Sequence, residues 1–287
     1  MVAEPLEFRP LRRHDVSAAC RLSDQAGWNQ LEIDWLRLLA LWPETCVGAW
    51  RDAVLVATGT LAVYGADVTW IGMVLVDEAL RGRGIGGAVF AHMFDLCDRV
   101  GVKVVGLDAT DMGRAVYLKQ RFVDHSRIER WAGARPAGAA GPGPCSRPLE
   151  ERDWSDVAAL DRACVGVDRG PLLRRLAAEP GAQARAVVED GRLIGIGFSR
   201  PGSRAAMLGP IVSPSLSAAR TLAIDLLAGL PAGETFVDVP ACSGLQPTLR
   251  ELGFEPRRRL TRMARPQIDG PLLTGPAVHA AAGFELG

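Results

Sequence analysis

The most informative segment of the chain is Leu80-Arg81-Gly82-Arg83-Gly84-Ile85-Gly86-Gly87, which follows the apolar run Gly72-Met73-Val74-Leu75-Val76. Apolar side chains recur at helical spacing after it, so the glycines lie between a predicted strand and a predicted helix. Glycine lets the backbone turn its N–H groups toward one point, and a helix N-terminus adds a positive dipole. Arg81 and Arg83 can add charge-assisted hydrogen bonds. The pattern predicts a cradle for an anion, suited to a pyrophosphate.

The same glycines also satisfy a dinucleotide-binding pattern, Gly-X-Gly-X-X-Gly, at Gly82, Gly84 and Gly87. In that alternative, Asp108 at the end of the next predicted strand would bind a ribose. However, five residues separate Val76 from the first glycine, where the dinucleotide fold has almost none. The preceding strands also form a hairpin-linked meander, whereas a doubly wound sheet alternates strands with helices. A nicotinamide cofactor is therefore disfavoured.

Around this segment, the first half of the chain shows strand and helix patterns in a definite order. The predicted strands are residues 46–50, 54–64, 67–76, 102–107 and 122–131. The predicted helices are residues 15–26, 34–42 with Asp34 as its cap, 84–99 and 115–121. Short turns join the strands between 46 and 76, which predicts an antiparallel meander.

Residues 133–147 are rich in glycine, proline and alanine, which predicts a linker. The same order of elements recurs after it, so the chain is predicted to be a tandem repeat with domains at 1–132 and 148–287. We name these the first and the second copy. Gly72 matches Gly209, and Asp108 matches Asp238. The segment between the two matched positions is seven residues shorter in the second copy. The shortening falls on the glycine-rich segment.

Composition narrows the class of protein. The chain has 287 residues, 48% of them hydrophobic, which suits two globular domains. Equal numbers of basic and acidic residues give no net positive field, so no nucleic acid is expected. The local arginine cluster is interpreted as a solvated strand face: Arg257, Arg258, Arg259, Arg262 and Arg265. The sequence also predicts a cytoplasmic protein without a metal or a membrane partner. Its cysteines are scattered, its residues show no metal-ligand spacing, and we find neither a secretory signal nor an apolar run of membrane-spanning length.

Two motifs together resemble the GCN5-related N-acetyltransferases. One is Arg-X-X-Gly-X-Gly at Arg81 to Gly86, and the other is Leu107-Asp108-Ala109-Thr110 followed by Gly113 to Phe122 with Tyr117 inside it. The chain departs from the family at Arg121, where a glycine usually precedes the phenylalanine. The resemblance covers about residues 6–131, and the second half resembles a degenerate copy. It implies an α/β (α+β) fold of two tandem domains, each a mixed, mostly antiparallel sheet flanked by helices.

The resemblance also implies a function, an acetyl-CoA-dependent transfer of an acetyl group to a primary amine of a small molecule or peptide by direct attack. Acetyl-CoA would be the co-substrate, held by the backbone around Leu75 through Val74 and Val76, by the glycine-rich segment and by Tyr117. Tyr117 would protonate the departing thiolate. The base is not assigned: Asp108 and Glu32 are candidates, and each is also interpretable as a structural or solvated carboxylate.

Several expectations stay open. Trp28, Asn29 and Glu32 are candidates for the acceptor side, although Trp28 and Trp35 are seven residues apart, a spacing that also fits helical core packing. The second copy has Leu249 where the first has Tyr117, so it is expected not to catalyse. A non-catalytic sensor of coenzyme A is the alternative function, a homodimer is left open, and the segment 282–287 either packs on a domain or forms a frayed tail.

Overall fold

The computed structural model describes residues 5–134 and 145–287. Contacts divide these residues into two compact units. The first ends at Val105 and includes Leu286; the second runs from Gly106 to Glu285 and includes Gly287. Mixed helices and mostly antiparallel strands in both units confirm the predicted fold class.

The first unit is built on an antiparallel meander. Its strands are β1 (Glu7–Pro10), β2 (Cys46–Arg51), β3 (Val54–Tyr64) and β4 (Val68–Val76), paired in that order. Its helices are α1 (Val16–Gln25), α2 (Glu32–Leu41) and α3 (Ile85–Val100). Strand β5 (Val104–Ala109) starts here, where the Val104 amide donates to the Asp67 carbonyl at 2.9 Å. The predicted meander is confirmed.

Helix α2 begins two residues before the predicted start at Asp34. Leu31 is the residue that precedes the helix, and Asp34 lies in the first turn, where its carboxylate accepts from the Leu31 amide at 2.7 Å. The prediction that Asp34 caps the helix from outside was therefore wrong, although the carboxylate does bind a free amide at this end. Asp34 also binds the buried guanidinium of Arg37 at 2.6 Å.

Helix α3 packs its apolar face against β3. Its buried residues include Val89 and Met93, which fit because position 59 is glycine: a Cβ there would lie 2.9 Å from the Met93 sulfur. The close approach places α3 directly over the meander. The helix N-terminus, and with it the glycine-rich turn, is thereby fixed relative to β4.

The second unit contains the end of β5 and the rest of the chain. Its strands are β6 (Val123–Ala134), β7 (Arg147–Pro148), β8 (Gln183–Glu189), β9 (Arg192–Arg200), β10 (Ala206–Val212), β11 (Glu234–Pro240), β12 (Glu255–Arg265) and β13 (Val278–Ala280). Its helices are α4 (Asp111–Lys119), α5 (Trp154–Val165), α6 (Gly170–Ala177), α7 (Leu216–Gly229) and α8 (Gln246–Glu251). The strand order is β12-β6-β11-β10-β9-β8-β7, and the end of β5 lies beside β12.

The last strands of the two copies are exchanged in this sheet. Strand β6 belongs to the first copy, yet it pairs antiparallel with both β11 and β12 of the second. Strand β12 in turn lies between β6 and β5 of the first copy. The compact units consequently divide inside β5 at Val105, whereas the sequence repeat divides at residues 133–147. Strand β6 runs to Ala134, and residues 135–144 of the expected linker lie outside the described residues.

Residues 280–285 of the C-terminal segment are part of the core of the second unit. Ala280, Ala281 and Ala282 are fully buried, and Phe284 packs against a small cluster that contains Ala281. The carboxylate of Glu285 lies 3.5 Å from Arg200, and both side chains are buried. The alternative of a frayed tail is therefore wrong. No helix in residues 5–134 or 145–287 is long and apolar enough to cross a bilayer.

Candidate functional site

Strand β4 carries a bulge where the apolar run was expected to meet a ligand. Thr60 pairs with Gly72 and Thr58 pairs with Leu75, so the register shifts between them, and Met73 has a φ of +50°. The Thr58 hydroxyl donates to the Met73 carbonyl at 2.8 Å and holds the bulge from the β3 side. A bulge of this kind re-aims the following residues of a strand.

The two valines after the bulge face differently from the leucine between them. Val74 and Val76 are half-buried, whereas Leu75 is buried in the core, as expected from the alternation of a strand. Leu75 thereby anchors the strand, and the two valines border the less covered side.

The glycine-rich turn is open. Gly82 and Gly84 have φ values of +76° and +80°, which glycine adopts without strain. A Cβ built on either of them, or on Gly87, would meet no atom within 4 Å, and the side chains of Arg81 and Arg83 are exposed. No packed side chain closes the turn, so its backbone is accessible to a ligand.

Helix α3 begins directly at this turn with its first amides available. Gly84 precedes the helix and no side chain caps it, while the first helical hydrogen bond runs from the Ala88 amide to the Gly84 carbonyl at 3.1 Å. The amides of the first turn of a helix have no partners inside the helix. The buried side chain of Ile85 fixes this turn, and a Cβ built on Gly86 would lie 3.7 Å from the Val76 side chain.

The base of the turn is braced by ion pairing. Asp77 follows β4 and accepts from Ala79 at 3.1 Å, while Arg21 of α1 donates to its carboxylate at 2.5 Å. The bond from Arg21 lowers the pKa of Asp77 below its ordinary value, so the carboxylate is ionised at neutral pH. The Arg81 side chain binds the end of β4, where its Nε donates to the Val76 carbonyl at 3.2 Å. Neither Arg21 nor Asp77 was singled out from the sequence.

Tyr117 belongs to the second unit and lies on α4. This helix begins at Asp111, four residues before the predicted start, because the Thr110 hydroxyl caps it by accepting from the Gly113 amide at 3.1 Å. The Tyr117 ring is half-buried beside Phe122, with centroids 6.2 Å apart, and burial raises the pKa of its phenol to about 12. The phenol therefore holds its proton at neutral pH. Gly113 makes room for the ring, since a Cβ there would lie 3.1 Å from it.

Asp108 is engaged in a buried ion pair. Arg262 donates to both of its carboxylate oxygens, at 3.0 and 2.9 Å, and both side chains are excluded from solvent. Burial raises the pKa of Asp108, and the guanidinium opposes this only in part. The ion pair argues against Asp108 as the catalytic base and favours its structural interpretation. It also corrects the view of Arg262 as part of a solvated face.

Asp238 repeats this arrangement in the second copy. Arg130 donates to both of its oxygens at 2.8 Å. Asp108 and Asp238 are matching positions of the two copies, and so are Arg130 and Arg262 when Phe122 is aligned with Phe254. Each aspartate is thus bound by an arginine on the exchanged strand of the other copy.

The residues proposed for the acceptor side lie in the first unit, before and at the start of α2. Trp28 is half-buried, Asn29 is buried and Glu32 is exposed in the first helical turn. Trp35 is fully buried, and its indole N–H donates to the Ser23 hydroxyl at 3.4 Å. Trp35 is therefore a core residue, as the helical spacing allowed.

Arg121 adopts the conformation that the usual glycine of this motif would favour. Its φ is +65°, in the left-handed region, and the matching residue of the second copy is Gly253, with a φ of +82°. The turn keeps its shape in both copies, and in the first copy a side chain with a Cβ occupies it. Within residues 5–134 and 145–287, no three His, Cys, Asp or Glu residues are grouped as ligands of a metal ion.

Two family models match the chain. The model described as "Acetyltransferase (GNAT) family" matches residues 13–121, and the model described as "Acetyltransferase (GNAT) domain" matches residues 157–271. Together the two ranges span more than half of the chain.

Two curated proteins are similar over most of their length. The "Uncharacterized N-acetyltransferase YitH" of Bacillus subtilis (strain 168) is 27% identical over 256 residues, which cover 86% of this chain and 87% of that protein. The "Holothin acyltransferase" of Pseudoalteromonas sp. (strain SANK 73390) is 26% identical over 234 residues, which cover 81% of this chain and 78% of that protein.

Among solved structures, a putative acetyltransferase from Pyrococcus horikoshii superposes with a TM-score of 0.80 at 20% identity, covering 100% of this chain and 98% of that one. At this identity the likeness concerns the fold alone.

Proposed function

Because the chain belongs to the GCN5-related N-acetyltransferase family and carries two acetyltransferase domains in tandem, we propose that its first copy takes acetyl-CoA as co-substrate and acetylates a primary amine. The chain is an acyltransferase by its family; the donor and the acceptor are the proposal. The observation that carries it is the open glycine turn before α3, with left-handed Gly82 and Gly84 and no capping side chain.

The turn fits a pyrophosphate. The free amides at the start of α3 point to where the helix dipole favours negative charge, and the missing Cβ atoms of Gly82 and Gly84 let an anion approach the backbone. Arg83, which is exposed, can add a charge-assisted bond, while Arg81 has its Nε on the Val76 carbonyl and keeps its other nitrogens for a phosphate. Coenzyme A contains such a group.

Strand β4 would hold the pantetheine arm by strand addition. An extended ligand pairs with backbone groups of a strand, and the bulge at Met73 shifts the register of β4 immediately before Val74. One of the amides of Val74 and Val76 would donate to the thioester oxygen as negative charge develops on it. Acetyl-CoA supplies the activated acetyl group.

Tyr117 would act on the leaving side of the reaction. Its phenol has a pKa of about 12, so it carries a proton at neutral pH and can donate a hydrogen bond to the departing sulfur. The attacking amine loses one proton as the amide forms, and that proton finally resides on the thiol. Tyr117 would pass a proton to sulfur and be restored from the amine, which leaves the phenol unchanged after each turnover.

An alkylammonium must lose a proton before attack, since its pKa is about 10. Asp108 is bound by Arg262, so we propose that Glu32 or solvent takes this proton; Glu32 is exposed at the start of α2. Trp28 and Asn29 precede it and are proposed as the acceptor wall. One relative is named as an acyltransferase for holothin, a name that does not specify an acetyl group, so the length of the acyl group transferred here is to be measured.

Gly84→Glu tests the coenzyme site. The added carboxylate would crowd and repel a pyrophosphate, so isothermal titration with acetyl-CoA should show at least a tenfold loss of affinity. Gly101→Glu is the matched control, because Gly101 ends the same helix with a φ of +72° and equally open space. Equal affinity of wild type and Gly84→Glu would refute the site.

A thiol-release assay over a panel of amines separates the two functions. Coenzyme A released with an acetylated product on any acceptor supports the enzyme. Tight coenzyme binding with no thiol release on amino acids, polyamines, amino sugars, aminoglycosides or peptides would favour the sensor instead.

A further inference from the structure

In the second copy, two parallel strands separate along part of their length, and another segment of the same chain lies between them. Strands β10 and β11 pair in parallel only from Ala206 to Leu208 of β10, although both strands continue beyond that point. Beyond it, β13 pairs antiparallel with β10, with Ile211 opposite Ala280. The β13 segment therefore pairs with the part of β10 that β11 does not pair with.

Backbone hydrogen bonds hold this segment from both sides. The Ser213 amide donates to the Ala277 carbonyl at 2.8 Å, and the Ala281 amide donates to the Asp238 carbonyl at 2.8 Å. Ser213 follows β10 and Asp238 lies in β11, so residues 277–281 bridge the two strands. Val278, Ala280 and Ala281 are fully buried.

Side chains reinforce the docking. The His279 ring binds the Ser213 carbonyl at 3.1 Å, and the Ser243 hydroxyl donates to the His279 carbonyl at 3.0 Å. Arg200 donates to the Ala282 carbonyl at 2.7 Å and to the Gly209 carbonyl at 3.3 Å. The segment is held along its whole length.

The positions that hold it match those proposed for the coenzyme in the first copy. When Gly72 is aligned with Gly209, Val74 matches Ile211 and Val76 matches Ser213. Both copies have a register shift at this point, after Gly72 in β4 and between Leu208 and Ile211 in β10. The amide of Ser213, at the place of Val76, is already occupied by Ala277.

The anion cradle is also absent from the second copy. The glycine-rich turn is shortened, and the Ser215 hydroxyl caps α7 by accepting from the Ala218 amide at 3.4 Å. A cap of this kind occupies the end of the helix that the first copy leaves open. Both features that would bind a coenzyme have been replaced by groups of the chain.

We propose that residues 277–281 are a permanently docked strand in the coenzyme groove of the second copy, so that the protein binds one coenzyme per chain. The count rests on the proposed function of the first copy, whereas the docking rests on the contacts above. The groove between β10 and β11 is accordingly a binding site for an extended peptide backbone, and its occupant is this segment.

Hydrogen exchange of the full chain, read by mass spectrometry with and without acetyl-CoA, tests the docking. Peptides covering 211–213 and 277–281 should be protected from exchange without coenzyme, and coenzyme should not change their exchange rates. Peptides covering 73–76 should exchange at least tenfold more slowly when coenzyme binds. Rapid exchange of 277–281 in the free protein, or loss of its protection with coenzyme, would overturn the inference.

Gly209→Ala perturbs the docking directly. A Cβ at Gly209 would overlap the Ala281 carbonyl oxygen, so the amides of residues 277–281 should exchange at least tenfold faster. Gly233→Ala is the control, because Gly233 has nearly the same φ, +149° against +143°, with nothing within 4 Å. Equal exchange of residues 277–281 in both variants would count against the docking.

Isothermal titration supplies the count. One acetyl-CoA per chain supports the inference, and two would refute it. No coenzyme binding at all would refute the proposed function, and protection of 277–281 in that case would still support the docked strand.

Discussion

Removing the arginine of the buried Asp108–Arg262 pair should destabilise the protein strongly. Arg262→Met replaces the guanidinium with a shorter, unbranched apolar side chain and leaves Asp108 buried without its two hydrogen bonds of 3.0 and 2.9 Å. It also leaves the Leu272 carbonyl and the Thr274 hydroxyl without the 3.1 Å bonds that they receive from Arg262. Breaking a buried pair in this way costs about 3–5 kcal/mol in free energy of unfolding.

The assay is urea unfolding followed by tryptophan fluorescence, with midpoint and slope compared at pH 7. Arg259→Met is the control on the same strand, since Arg259 binds Glu129 at 2.7 Å with 63% of its side chain exposed. An exposed pair contributes about 0–1 kcal/mol. If Arg262→Met lost no more free energy of unfolding than the control, the stability attributed to the buried pair would be refuted.

Two further measurements sharpen the result. Asp108→Leu combined with Arg262→Met removes both charges, so the double variant should be more stable than Arg262→Met alone. In Arg262→Met, burial raises the pKa of Asp108 with no guanidinium to oppose it, so folding favours the protonated carboxyl. The deficit relative to wild type should therefore shrink as pH falls from 7 to about 4. A constant deficit over that interval would contradict the reasoning.

Three other outcomes are expected. Arg121→Gly should raise the free energy of unfolding by about 0.5–1 kcal/mol, because glycine adopts the left-handed φ of +65° without strain, whereas Lys119→Gly in the preceding helix should lower it by about 1 kcal/mol. Tyr117→Phe should lower kcat about 100-fold in the thiol-release assay with little change in coenzyme Kd, and equal turnover would remove Tyr117 from the mechanism. The hydrogen bond from Arg147 lowers the pKa of Asp153 to about 2, so Arg147→Met should cost about 1 kcal/mol at pH 7, and the difference from wild type should vanish as pH falls through 4 toward 2.

The local elements were predictable because their signals are local. Alternating apolar residues gave the meander from β2 to β4, and the glycine-rich segment was correctly placed between a strand and a helix. The start of α4 was missed because the cap, Thr110, lies before the apolar spacing begins. The left-handed φ of Gly84 and the open space around it were not predictable, because glycine permits this φ without requiring it and the neighbouring atoms depend on the fold.

The partners of β6 and β12 were not predictable from pattern. Periodicity indicates which face of a strand is buried, and carries no information on which strand lies beside it. Arg262 was grouped with exposed arginines for the same reason: its environment depends on Asp108, far away in sequence. Its position two residues after the buried Leu260, on the same face of the strand, was the available signal.

The strand exchange has a consequence for biosynthesis. When the ribosome has released residues up to 134, β6 lacks both of its neighbours, and the end of β5 lacks β12. A nascent chain in that condition has unpaired strand edges until residue 265 has emerged, and contacts so distant in sequence form slowly. The sheet that contains β6 and the end of β5 can therefore be completed only after most of the polypeptide has been translated.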